Sequence, residues 1–478
     1  MGSIASQSFR GIIWSAVERF SLQGVQFFIG IVLARLLSPS DFGMIGMLAI
    51  FLNVSQIFVD CGFSNALIRE KNATDRDYGT AFLLNFFISL VCFGILFLIA
   101  PFVADFYQLP DLKLVMQVVA LTLILNALFA VHKAKLSRAV DFKTQSKATF
   151  CSAAISGIFG VALAYCGFGV WSLVWQSIAN AVLNLFFYTI MLKWFPKPCF
   201  DRKSFNSLFS FGSKLLLSNL IHCIYSNLYS IVIGKKFSAT NLGFYARADH
   251  LAAFPSMNVA TILSRVTYPI LSKLQDDNDK LLDVYKKYLQ LSCFLIFPLM
   301  IGLSVLAKPT ILVLLGEKWA DSILLMQILC FAFMLDPICN INLNLLYVKG
   351  RSDLVLKLEI VKKTIAIIIL FSSIQFGLAG MCFGRACYSV IATFLNMIYT
   401  RRFIDLSIFG QVKLLTPSLL LSLSMGAFLW LGMDWISLSG VQLLVGIPAG
   451  IVFYFLLAYV LRMSSLQMLL SFVKKRGA

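Results

Sequence analysis

Residues 33–43 read LARLLSPSDFG, and residues 233–243 read IGKKFSATNLG. At a spacing of 200 residues Ser38 meets Ser238, Gly43 meets Gly243, Arg35 meets Lys235 and Asp41 meets Asn241. Each stretch follows one apolar run and precedes another. Upstream, Ser8-Phe9 and Ser210-Phe211 correspond with a shift of two residues. Two turns of like chemistry would share residue types by chance. Agreement in position relative to the flanking runs favours duplication, because self-similarity at a fixed period marks a repeated structural unit.

What fills that unit follows from composition. The chain has 478 residues, is 59% hydrophobic and 13% charged, and has a mean hydropathy of +0.85. A soluble domain carries about 25% charged residues. This much apolar sequence predicts an all-α integral membrane protein, each span needing about 20 apolar residues. Fourteen apolar segments are counted. Six fall in the first period (11–34, 43–62, 78–103, 114–131, 148–166, 169–191) and six in the second (211–234, 244–271, 288–307, 322–347, 356–376, 378–399). Two more follow, at 414–432 and 437–461. The segment 244–271 is the least apolar, holding Arg247, Asp249, His250 and Arg265. The expected architecture is two six-helix lobes, 1–200 and 201–405, with an extra helix pair and basic cytoplasmic tail at 406–478. Six spans separate the lobes, so they are parallel repeats about an axis along the membrane normal, with substrate expected between them.

The net charge of +18 would suggest nucleic acid in a soluble protein. Here the basic residues flank apolar runs, where the positive-inside rule and anionic lipid account for them, and no nucleic-acid partner is expected. Counting each span's flanks with its connection, 30 of the 40 Lys and Arg fall on one side and 7 on the other. That places both termini in the cytoplasm. No small-residue cleavage site follows the first apolar run, so no cleaved signal is expected. Most of the 11 cysteines lie inside apolar runs without a CxxC pair, and there are three histidines, so neither a metal site nor a cofactor is expected. The link 272–287 suggests a surface helix capped by Asn278 or Asp279, and the basic link 132–147 suggests an interfacial segment. Trp194, Trp319 and Trp435 stand near span ends, as interface anchors do. Gly446 and Gly450 form a GxxxG suited to close helix packing.

Several stretches together resemble one family. Trp14-Ser15-Ala16, LARLLSPSDFG (33–43), FVDCGFSNALIREK (58–71), GFGVWSLVWQ (167–176), TILSRVTYPILSKLQDD (261–277) and LLGEKWADSILLMQIL (314–329) resemble the polysaccharide transporters of the Wzx and colanic-acid-exporter type at matching spacing over nearly the whole chain. That family belongs to the superfamily that also holds lipid II flippases and multidrug/cation antiporters. The resemblance implies alternating access in the bacterial inner membrane. The implied substrate is an oligosaccharide repeat unit on undecaprenyl pyrophosphate, moved from the cytoplasmic to the periplasmic leaflet for surface polysaccharide. It also implies a working monomer, with polymerase and chain-length proteins of the same pathway as partners beside membrane lipid.

Such a substrate needs a polar cavity with cations facing the diphosphate, so charges inside spans are the first candidates. Glu18 and Arg19 are adjacent in span 1, Asp60 lies near the same depth in span 2, and Arg265 lies in span 8. The resemblance implies that spans 1, 2, 7 and 8 line the cavity. The lipid II flippases are similar in having an adjacent Arg and acid in span 1, in reversed order, and an Arg in span 8. Arg19 and Arg265 are expected on the diphosphate, with Glu18 and Asp60 orienting them; a purely structural ion pair between helices is the competing reading. Asp336, beside Pro337 in span 10, and His222 in span 7 are candidates for ion coupling, against a satisfied carboxylate at a kink and a hydrogen-bonded core histidine. Arg385 either snorkels outward or lines an outer vestibule. Lys133, Lys135 and Arg138 would gather the head group at the entrance, or serve topology alone.

Two other functions compete. A membrane glycosyltransferase or polymerase would use the acidic tract Asp276-Asp277-Asn278-Asp279, which sits in a solvated link; no P-loop and no large outer loop accompany it. A cation-coupled multidrug or small-molecule antiporter shares the architecture, but favours acidic or aromatic cavity residues over arginine.

Overall fold

A computed structural model describes residues 22–70, 73–433, 435–436 and 438–474; at 69, 207, 210–211, 214–215, 265–266 and 470–474 it describes the backbone alone. The described residues are helical, with no strand among them. They divide into two compact units, Met1–Gly243 and Phe244–Ala478. The first holds α1 (Leu22–Leu36), α2 (Pro39–Asp60), α3 (Phe63–Arg69), α4 (Asp75–Tyr107), α5 (Asp111–Val119), α6 (Leu121–Arg138), α7 (Phe142–Tyr165), α8 (Val170–Leu192) and α9 (Arg202–Lys236). Then come α10 (Ala239–Lys273), α11 (Asn278–Val305), α12 (Ala307–Leu314), α13 (Ser322–Met334), α14 (Asp336–Val348), α15 (Ser352–Ser373), α16 (Gly377–Thr400), α17 (Ile408–Met433), α18 (Ser439–Val460) and α19 (Ser464–Lys474). Among the described residues, 11 helical stretches are long and apolar enough to cross a membrane. Their outer faces carry large apolar side chains that water would not tolerate in such numbers, such as Phe102 at 74% and Leu444 at 76% exposed. The chain is a multi-pass membrane protein.

The two quoted stretches are helix starts. Ser38 caps α2: its hydroxyl accepts from the Asp41 N–H at 3.3 Å, and the Asp41 carboxylate takes the Ser38 N–H at 2.8 Å. Pro39 follows at the first helical position, where no N–H is needed. Ser238 caps α10 in the same way, accepting from the Asn241 N–H at 3.1 Å. The repeated glycines mark a reciprocal close approach. A Cβ on Gly43 would run into the Ala239 carbonyl, and one on Gly243 into the Pro39 carbonyl, so each repeat opens a glycine to the other's first turn. At the far end of α2, Cys61 (φ 42°) and Gly62 (φ 70°) both adopt the left-handed conformation and stop the helix. Gly62 there lies against the backbone of Gly212 on α9.

Three local expectations change. The α11 cap is Asp277, not Asn278 or Asp279; its carboxylate accepts the Lys280 N–H at 3.1 Å, and the helix runs without interruption into the apolar segment rather than lying apart on the surface. Those bonds to the Lys280 side chain and backbone hold the Asp277 carboxyl below its ordinary range. The link 132–147 is likewise the end of α6 and the start of α7, joined at Ala139–Asp141. Trp319 is 0% exposed, packed edge-on to Phe244, so it is a core residue rather than an interface anchor; Trp435, at 91% exposed, fits an anchor. The GxxxG pair packs as expected: Gly446 faces Met433 and Leu306, and Gly450 faces Leu429.

Candidate functional site

The first unit has a half-open cavity of about 470 Å³ between α2, α3, α6 and α9. Its wall is polar for a membrane protein: Gln56, Asp60, Ser64, Asn65, Asn126, Lys133, Ser137 and Asn219, with Ile57, Ile68 and Phe129 among the apolar residues. The helix break builds it. Asp60 is the last residue of α2, where the partial negative charge of the helix end disfavours a carboxylate. Its Oδ1 is held by the Ser64 hydroxyl at 2.5 Å. Asn126 Nδ2 donates to Gln56 Oε1 at 3.0 Å, tying α6 to α2 across the wall. Lys133 is exposed and brings the one cation among the described lining side chains. The site therefore offers one ammonium, one carboxylate and a set of amides and hydroxyls, enough to bind an anion beside hydroxyl groups.

The structure separates the three basic residues expected at the entrance. Lys133 lines the cavity. Lys135 does not: its ammonium sits 3.4 Å from the centre of the Trp194 ring and 5.7 Å from that of Tyr78. Arg138 is turned to Tyr78 Oη at 3.1 Å and the Ala73 carbonyl at 3.3 Å. Of the four residues expected to line the substrate cavity, Asp60, expected to orient the arginines, is in this one. Glu18 and Arg19 lie outside the described residues. Arg265 falls within α10, and its side chain lies outside the described residues.

Asp336 stands where α13 gives way to α14, with Pro337 behind it, and is half-buried. The charges acting on it are Arg385, Asp249 and Lys362. Arg385 forms an ion pair with Asp249, donates to Tyr245 Oη at 2.5 Å and lies 4.6 Å over the Phe333 ring. Lys362, almost fully buried, pairs with Glu359. This second cluster gathers acids and bases from α10, α14, α15 and α16. His222 belongs to the first unit, exposed on α9.

Gln56, Ser64, Asn126 and Asn219 were not singled out from the sequence. Neutral polar residues are common in membrane helices as packing and back-bonding groups, so none stands out alone. A signal exists in the repeat. ILN at 124–126 matches ICN at 338–340, aligning Asn126 with Asn340 at a spacing of 214.

The chain resembles known proteins at this scale. It is 26% identical to the teichuronic acid biosynthesis protein TuaB of Bacillus subtilis over 89% of each chain. It is 25% identical to the lipopolysaccharide biosynthesis protein WzxC of Escherichia coli, again over 89% of each. Its fold is similar to that of the lipid II flippase MurJ in an inward closed conformation, with a TM-score of 0.72 at 15% identity over 94% of this chain and 99% of that one. The family model described as polysaccharide biosynthesis protein matches residues 32–324, more than half of the chain, and the chain belongs to that family.

Proposed function

We propose that this protein is a flippase, a transporter rather than an enzyme. It would carry an oligosaccharide repeat unit on undecaprenyl pyrophosphate from the cytoplasmic to the periplasmic leaflet of the bacterial inner membrane. The observation that carries the reading is the first unit's half-open cavity, lined by a lysine, a carboxylate and several amides, in a unit whose helices expose large apolar side chains elsewhere. A bilayer bars a diphosphate and its sugars because neither can leave water without partners. A polar hollow at membrane helices supplies those partners. The family relation and the flippase named among the fold neighbours support the same reading.

In this reading there are fourteen spans. To the eleven stretches are added α1 and the less apolar α10, and Ser352–Thr400 divides into α15 and α16. Residues 1–200 and 201–405 form the two lobes, 406–478 the extra pair, and both termini are cytoplasmic. Lys133 meets the incoming diphosphate, Arg19 and Arg265 hold it, and Glu18 and Asp60 orient the arginines. Asp336 is the coupling carboxylate, set among Asp249, Lys362 and Arg385, with His222 as a second ion-coupling residue. The protein works as a monomer beside the polymerase and chain-length proteins of its pathway.

The test is a lipid extract from a deletion strain, analysed by mass spectrometry. An undecaprenyl-pyrophosphate oligosaccharide should accumulate on deletion, clear with the wild-type gene, and persist with Lys133→Ala or Arg19→Ala. An unchanged lipid pool, with the precursor being made and no second flippase present, would sink the proposal and bring the small-molecule antiporter forward.

A further inference from the structure

The second unit has a pocket of its own, about 510 Å³, between α10 and α14. Its residues occupy the register of the first unit's cavity. Met257, Ala260, Ser264 and Tyr268 stand 200 residues beyond Ile57, Asp60, Ser64 and Ile68, and all eight line their respective pockets. Asn340 and Asn344 stand 214 residues beyond Asn126 and Ala130, which also line the first cavity. The duplication therefore placed the same hollow in both halves of the chain. What differs is the chemistry. Asp60 has become Ala260, and the position of Lys133 is taken by Tyr347, which is not in the pocket wall. The described lining side chains are two asparagines, two hydroxyls, a phenol, a methionine and an alanine, with no charge among them.

A diphosphate offers acceptors only, so its sites use cations and N–H groups. An asparagine amide both donates and accepts, as each sugar hydroxyl does. Asn344 lines the pocket, and its Nδ2 is buried with no hydrogen-bond partner within the protein, so a turn of the amide toward the pocket would bring a donor to a ligand at no cost in internal bonds. Tyr268, 44% exposed, adds an apolar ring face with a polar tip. We infer that this pocket is a sugar subsite: it reads uncharged hydroxyls of the lipid-linked oligosaccharide, while the charged cavity of the first unit serves the diphosphate end. The inference rests on the flippase reading and adds to it which half of the chain sets sugar selectivity. Arg265 follows Ser264 on α10, turned about 100° from it by the helix, and its side chain is outside the described residues; the experiment must therefore separate sugar from phosphate.

The full-length protein in nanodiscs is given two probes: the lipid-linked oligosaccharide extracted from the deletion strain, and sugar-free undecaprenyl pyrophosphate. The wild type should bind the sugared lipid about tenfold or more tightly than the sugar-free one, the worth of a few neutral hydrogen bonds. Asn340→Leu with Asn344→Leu should remove most of that preference and leave sugar-free binding within about twofold. Tyr268→Phe, which deletes one hydroxyl, should lower the preference about threefold and decides the matter if the double variant does not fold. A preference that survives both substitutions overturns the inference while the flippase reading stands. Equal loss for both probes also overturns it, since the pocket would then be reading the diphosphate. If the wild type binds neither probe, the flippase reading itself fails and the subsite with it.

Discussion

The two repeats treat one stretch of helix in opposite ways. In the first, α2 stops at Asp60, two left-handed residues follow, and α3 restarts at Phe63. In the second, α10 runs on through the same register to Lys273. The residues at the break explain the difference. Cys61 and Gly62 correspond to Thr261 and Ile262. Glycine enters the left-handed region freely and cysteine at moderate cost, whereas two β-branched residues there would be strongly disfavoured. The break leaves Asp60 at a helix end with Ser64 bonded to it, and a cavity beside it that holds Lys133. The unbroken helix has Ala260 at that place, and no charged side chain stands among the described residues of its pocket. Two hollows at matching register thus differ, among their described residues, in whether a charge lines them, and the conformational licence of two residues accompanies the difference.

The largest effect should come from the feature the repeats share. Gly43→Leu or Gly243→Leu drives a side chain into the backbone of the other repeat's first turn, and a backbone cannot rotate aside as a side chain can. Neither variant should yield folded protein by size-exclusion chromatography. Gly94→Ala and Gly440→Ala, where a Cβ meets nothing within 4 Å, should be recovered at wild-type yield. Tolerance at one of the paired glycines and not the other would break the reciprocity.

Next is the feature the repeats do not share. Replacing Cys61-Gly62 by the Thr-Ile of the second repeat should cost about 2 kcal/mol or more: about 1–2 kcal/mol for a side chain at the left-handed Gly62, a smaller increment for β-branching at Cys61, whose own Cβ already bears that strain, plus the clash of a side chain with Gly212. The reverse exchange, Thr261→Cys with Ile262→Gly, only places a glycine in a helix and should cost about 1 kcal/mol. Thermal unfolding in detergent compares the two. Equal losses would mean that surrounding packing, rather than these residues, sets the break.

Lys133→Ala should slow clearance of the accumulated lipid by about ten- to a hundredfold, the range for losing a hydrogen bond to a charged group. Tyr347→Ala, at the equivalent position in the second repeat, should stay within about threefold, as substitutions away from a site do. Mass spectrometry of complemented deletion strains reads both. A similar defect in the two would erase the difference between the two pockets.

Much of this was legible in advance, and the omissions have physical causes. Apolar runs of span length carry the helices, because the bilayer imposes length and polarity on every span, and the 200-residue echo falls on two helix starts capped by Ser38 and Ser238. Asp60 and Lys133 were visible as charges near the membrane, though nothing local separates Lys133 from Lys135 and Arg138. That separation comes from Tyr78 and Trp194, more than fifty residues away in either direction, which claim the other two. The partners of Arg385 were hidden for the same reason: Asp249 and Tyr245 lie 136 and 140 residues upstream. Trp319 sits at a span end and is nevertheless covered, since position along the chain says nothing of what packs above it. The amides of both pockets gain meaning only when the repeats are laid over each other.

The smallest effect tests the quoted stretches themselves. Ser38 takes part in a full capping box: its N–H and hydroxyl both donate to the Asp41 carboxylate, at 2.8 and 2.6 Å, and its oxygen accepts the Asp41 N–H. Ser238 makes the single bond from Asn241 N–H, because an amide at 241 replaces the acid that would reach back. Loss of a capping serine costs about 1 kcal/mol, and the box should put Ser38 above Ser238. Amide exchange in the first turns of α2 and α10 resolves this better than global melting, since a frayed helix start opens locally. Ser38→Ala should speed exchange at the Asp41 N–H about fivefold, and Ser238→Ala should speed exchange at Asn241 by about half that. Asn241→Asp should then slow exchange in the first turn of α10 by completing the second box. If it does not, the caps differ for a reason other than the carboxylate. The close approach of the two first turns at Gly43 and Gly243 would then be what holds both helix starts, with the serines secondary to it.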